Sequence, residues 1–105
     1  MMGNVFWTGY CDKERIAAIS EIERIVDLYG FITDFKQFSD ISISIMIELE
    51  ESRVDVLYNA LKRFVNLNEY EGLHSTSNRE RSIFLNITFS KGTGDLRVEV
   101  PAVPG

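Results

Sequence analysis

Cys11 and His74 are the two side chains best suited to covalent chemistry: a thiolate attacks, and an imidazole is the base that generates it. Cys11 follows the run VFWTGY and stands just ahead of a helical pattern, where a helix N-terminus would lower its pKa. His74 lies in a polar stretch far along the chain, so the two meet only if the fold brings them together. That juxtaposition would make a small enzyme, with a site between residues 66–81 and the end of the first strand. His74 would be its base, with Cys11 or Tyr10 beside it. A lone histidine gives no metal-ligand spacing, and a lone cysteine forms no internal disulfide. The expectation is a solvated loop histidine and an inert cysteine, with no metal and no cofactor.

Three further patterns carry chemical suggestions. Glu48, Glu50 and Glu51 could pair carboxylates for acid–base work or hold a hard cation. Acids just ahead of a helix also favour its N-terminus, and solvation of a strand end is the expected role. Tyr70, Glu71 and His74 are candidates to line a pocket under their loop. The closing stretch SKGTGDLRVEVPAVPG contains Gly92-Thr93-Gly94, which suggests a phosphate cradle. A cradle needs a helix after its glycines; here an alternating run follows, so a hairpin turn is expected.

The elements that would position these residues can be read from periodicity. Residues 5–10 form an aromatic and β-branched strand. Asp12 is placed to cap a helix whose apolar face is Ile16, Ile19, Ile22, Val26 and Tyr29, with Gly30 at its C-terminal cap. The opposite face carries Lys13, Glu14, Ser20, Glu21 and Arg24. Residues 31–38 predict a strand of mixed pattern, with Asp34 and Lys36 facing solvent. After Ser39-Asp40, ISISIMIELE alternates through ten residues and predicts a long strand, antiparallel to the one before. Ser52-Arg53-Val54-Asp55 fits a capping box before a helix with Val54, Leu57, Leu61, Phe64 and Val65 on one face. Residues 66–81 read as a long loop, mobile or partner-contacting. Residues 82–90 alternate again, and Leu96, Val98 and Val100 suggest one more strand, ended by Pro101.

At 105 residues the chain is expected to be one α+β domain spanning 1–105. An apolar fraction of 45% with 26% charged residues is that of a folded globular protein. A net charge of −5 and a densest basic spot interrupted by acid, Arg79-Glu80-Arg81, argue against nucleic acid. No apolar run approaches membrane-spanning length, and the start of the chain shows no secretory or acylation pattern. With one cysteine, these features lead to an expected cytoplasmic location without membrane contact. The sequon Asn86-Ile87-Thr88 is then taken as chance.

Strand, helix, strand, strand, helix, strand is the order of ferredoxin-like domains. It predicts a βαββαβ sandwich: both helices on one face of an antiparallel sheet, the first and third strands central. The extra C-terminal strand would extend the edge beside the fourth through the glycine turn, or reach another protomer. Over most of residues 5–90 this order and size resemble the small regulatory modules of ACT type. The resemblance implies a ligand-contacting glycine or acid after strand one, where Gly9 and Asp12 lie. If the isoleucines pack under the helices, the other sheet face shows Phe6, Thr8, Tyr10, Ser42, Ser44, Met46, Phe84, Asn86 and Thr88. Small hydroxyls mixed with aromatic rings suit a protein interface or a ligand-facing sheet. The expected function is a non-catalytic module that self-associates, most simply as a homodimer, through this face or an edge strand. A small ligand or a protein partner is the further expectation.

Overall fold

Alternating isoleucines organise the chain. The structure, a computed structural model, describes residues 4–90. Strand β3 (Ser42–Glu50) buries Ile43, Ile45, Ile47 and Leu49 and turns Ser42, Ser44, Met46 and Glu48 the other way. Burying each such side chain contributes about 1.5–3 kcal/mol, so this register is strongly fixed. Strand β5 (Glu80–Phe89) repeats the device with Ile83, Leu85, Ile87 and Phe89, and β1 (Val5–Cys11) with Trp7, Gly9 and Cys11. These inner faces form one core with helices α1 (Arg15–Asp27) and α2 (Val54–Lys62), which supply Ala18, Ile22, Ile25, Val26, Leu57, Tyr58 and Leu61. Both helices therefore lie on one side of the sheet, as the amphipathic patterns require.

The result is a small α+β domain with two helices and a five-stranded mixed sheet in the order β2-β3-β5-β1-β4, where β2 is Gly30–Ser39 and β4 is Asn66–Leu67. The expected antiparallel βαββαβ order does not hold: the last long strand, β5, sits between β3 and β1 and runs parallel to β1. The reason lies in residues 66–79. After α2 and β4 the chain travels back, without helix or strand from Asn68 to Arg79, to the end at which β3 finished. There the Glu51 N–H donates to the Arg79 carbonyl at 2.9 Å, the Ser52 N–H donates to the Ser77 carbonyl at 2.9 Å, and Glu80 starts β5 opposite Glu50. Without this return, β5 would run the other way and could take only the outer edge of β1. The segment read as a mobile loop thus decides the topology.

Local details also differ from expectation. Helix α1 is capped by Glu14 instead of Asp12, its carboxylate accepting from the Ile16 and Ala17 N–H groups at 3.0 and 2.9 Å. Those donors hold the Glu14 carboxyl below its ordinary pKa. Ile16 is 65% exposed, and the buried stripe runs through Ala18 and Ile25 instead. Gly30 begins β2 rather than forming a left-handed cap; a Cβ there would overlap the Glu48 carbonyl. The capping box at Ser52 is absent, because a 3-10 turn, Glu51–Arg53, precedes α2 and Asp55 is engaged elsewhere. The Gly92–Gly94 turn and the strand at 96–100 lie outside the described residues. An added strand cannot pair beside β5, because β5 has neighbours on both sides.

Candidate functional site

The side of the sheet that faces away from the helices gathers all nine residues singled out from the sequence. Cross-strand register arranges them in three successive rungs. Phe6, Phe84 and Met46 form one, continued on β2 by Asp34; Thr8, Asn86 and Ser44 form the next, continued by Lys36; Tyr10, Thr88 and Ser42 form the third, ending at Ser39. The Phe6 and Phe84 rings stack at 5.0 Å with 15° between their planes. Phe6 is 65% exposed and Tyr10 49%, while Phe84 and Met46 are half-buried. Thr8, Asn86 and Thr88 are exposed, and Ser42 and Ser44 half-buried.

Sequence reasoning missed the contribution of β2 to this face. Phe31 stands opposite Glu48 and is 51% exposed. A register shift between Ile32 and Asp34 changes the parity of the strand, so Phe31, Asp34 and Lys36 share a face although their spacing is not even. That bulge is why the strand reads as a mixed pattern. Asp34 and Lys36 lie 3.9 Å apart and neutralise each other, so the three rungs carry no unbalanced charge; Glu48 and the Glu50–Glu80 pair follow on the same face beyond them. In a chain of net charge −5, the three rungs are neutral and the acids of this face gather at one end of it.

A second cluster forms on the helix side, where the strap 68–79 crosses the start of α2. The Asp55 carboxylate receives the Tyr70 hydroxyl at 2.7 Å, the Leu73 N–H at 2.9 Å and the His74 N–H at 2.9 Å. Partial burial pushes its pKa up, but these three donors outweigh burial and hold it below the ordinary value. The Tyr70 hydroxyl is pushed well above its ordinary value by burial and by donating to that carboxylate. Nearby, the buried Glu51 accepts from Arg81 Nε at 2.7 Å and from the Ser75 hydroxyl at 2.9 Å, and the guanidinium leads in holding its pKa down. The Tyr58 hydroxyl donates to the Asn68 carbonyl at 2.6 Å. Trp7 lies edge-on to Tyr58 and Tyr70, at 5.2 and 5.3 Å between ring centres. Its Nε1 finds no hydrogen-bond acceptor among the described residues.

Tyr70, Glu71 and His74 do line a shallow cavity there, about 360 Å³ in volume, together with Asp55, Tyr58 and Lys62. The catalytic pairing weighed from the sequence is not assembled. His74 sits at the α2 end of the strap, with φ of 50° and its ring largely exposed. Cys11 is 1% exposed in the core, opposite Phe89 at the far end of β5. The two ends of that strand are roughly 30 Å apart by the rise of a β-strand. Tyr10 points to the opposite sheet face from Cys11. Gly9 and Asp12 form no ligand loop either: Gly9 is buried inside β1, where Val65 and Leu67 fill the space a side chain would occupy, and Asp12 is exposed beside Lys13. Among the described residues no group of three or more histidine, cysteine or acidic side chains could hold a metal ion, so Glu48, Glu50 and Glu51 do not make one.

No helix of the described residues is long and apolar enough to cross a membrane. Comparison with protein-family models, with curated proteins and with solved structures finds no match to this chain.

Proposed function

We propose that the protein is a non-catalytic binding module that docks through the helix-free face of its sheet, with a second copy of itself as the partner. The observation that carries this reading is the three-rung aromatic and hydroxyl surface around the Phe6–Phe84 stack. Its near-neutrality supports a second copy, since like-charged chains repel least where each carries least charge. Two such faces can pack as aligned sheets about 10 Å apart. The surface measures about 20 Å along the strands and about 15 Å across them. Pairing it with itself covers about 600 Å² of projected area in total, below the usual range for stable association, so the dimer is weak and concentration-dependent. The free edges suit association less. β4 has two residues, and β2 carries two register shifts and a lysine, devices that oppose open-ended pairing.

A cytoplasmic site of action fits the single, unpaired, buried Cys11. Regulation is the natural use of such an association, because a small ligand seated on the same face would compete with the second copy. Sedimentation over a wide concentration range tests the reading. The parent should approach twice the chain mass, and Phe6→Asp should remain monomeric with its fold intact, since this ring is largely exposed. A parent that stays monomeric at the highest concentration, or a Phe6→Asp chain that associates as well as the parent, overturns it.

A further inference from the structure

The cavity between α2 and the strap 68–79 continues along the strap. A second cavity of about 250 Å³ shares Tyr58, Lys62, Tyr70 and Glu71 with it and adds Leu67 and Glu69, so the two make one groove. Its floor is aromatic: the Tyr58 and Tyr70 rings lie 4.8 Å apart between centres, and the buried Trp7 stands edge-on to both. Both tyrosine hydroxyls are already spent as donors, Tyr58 on the Asn68 carbonyl and Tyr70 on the Asp55 carboxylate. These bonds hold the rings in place and push electron density toward them, which strengthens the attraction of a ring face for a cation. The polar atoms around the floor are mostly acceptors. Asp55 receives three hydrogen bonds where a carboxylate has about four lone-pair sites. Glu69 and Glu71 are exposed, and their carboxylates join no ion pair among the described residues. His74 spends its Nε2 hydrogen on the Glu71 carbonyl at 3.1 Å. Against these acids stands Lys62, whose ammonium rests over the Tyr58 ring, 5.6 Å from its centre.

We propose that this groove binds a small protonated alkylamine, whose ammonium group takes the place of the Lys62 amine over the Tyr58 ring. Lys62 itself shows the fit, since a primary ammonium on a four-carbon stem already rests there. The ligand's N–H groups suit the acceptors of Asp55, Glu69 and Glu71, and its hydrocarbon chain suits Tyr70 and Leu67. A neutral or anionic ligand meets the opposite conditions, because both hydroxyls are committed and three acids outnumber the one lysine. Exchange is inexpensive: Lys62 is exposed, so its displaced ammonium returns to water. The groove lies on the helix side of the sheet, so its occupancy is compatible with docking through the other face.

Titration of the full chain with butylammonium chloride, at ionic strength held constant with sodium chloride, tests this. The ring resonances of Tyr58 and Tyr70 report binding, as does the emission of Trp7, which packs against both rings. Lys62→Ala removes the resident cation and should bind butylammonium about fivefold more tightly than the parent. Changing Glu69 and Glu71 together to glutamine should weaken binding about threefold. All three positions are exposed, so these variants should keep the fold. Butanol, which has the same chain without the charge, should give no saturable response in the parent or in Lys62→Ala. A Lys62→Ala chain that binds butylammonium no more tightly than the parent, or that shows no saturable response, overturns the proposal. So does butanol acting as well as butylammonium, or binding that is unchanged when both glutamates are neutralised.

Discussion

Replacing Asp55 by alanine removes the centre of the strap. Three donors converge on this carboxylate, and they belong to a tyrosine and two backbone positions separated from it by a helix and a strand. Hydrogen bonds to a charged group contribute about 1.5–3 kcal/mol each when well shielded. The Asp55 side chain is 29% exposed, so solvent screening reduces that figure. Taking about 1 kcal/mol for each bond gives a loss of about 3 kcal/mol for Asp55→Ala. With a urea dependence of about 1.5 kcal/mol per molar for a chain of this size, the unfolding midpoint should fall by about 2 M. Tyr70→Phe should cost about 1 kcal/mol, because Asp55 keeps the Leu73 and His74 donors. Trp7, the only tryptophan, provides the reporter: it is buried against Tyr58 and Tyr70, and loosening of the strap should shift its emission to the red before global unfolding. An Asp55→Ala protein within 0.5 kcal/mol of the parent, its Trp7 emission unchanged, would refute the claim that this carboxylate latches the strap.

Two further outcomes follow from the same geometry. Asp55 and Glu51 have folded-state pKa values below their ordinary 3.8 and 4.5, so the stability they contribute is fully present above those values. It is lost as pH falls through the lower folded-state values. Urea midpoints should therefore be flat through neutral pH and drop below about pH 4, with a shallower drop in Asp55→Ala; a loss centred near pH 6 would contradict the assignment. In Gly9→Ala, the new methyl would stand 2.6 Å from Val65 Cγ1 and 2.9 Å from Leu67 Cδ2, so these two side chains must repack where they hold β4 to β1. A loss of about 1–3 kcal/mol is expected, read as a lower thermal midpoint, and an unchanged midpoint would show that β4 is not held as described.

Where one physical preference acts alone, the sequence was legible. The alternation of 41–49 could bury isoleucines only on one side, and this decided β3, its partner β2 and the nine residues of the open face. Helix periodicity likewise placed α1 and α2. Fine choices were less visible, because several side chains compete for each role. Glu14 caps α1 in place of Asp12, and Ile25 replaces Ile16 in its buried stripe. The bulge in β2 scrambled its parity, hiding Phe31, Asp34 and Lys36 from the open face.

By itself the sequence determined β1, α1, β2, β3, α2 and most of β5, the helix-covered side of the sheet and the character of the other side. These follow from local periodicity, which any window of the chain contains. Tertiary structure alone decided the strand order, the destination of residues 66–79 and the distance between His74 and Cys11. Each depends on contacts between residues distant in the chain: Asp55 with Tyr70, Glu51 with Arg81, Glu50 with Glu80. A polar stretch gains shape only from the buried partners that satisfy its donors and acceptors, and those partners are not neighbours in sequence.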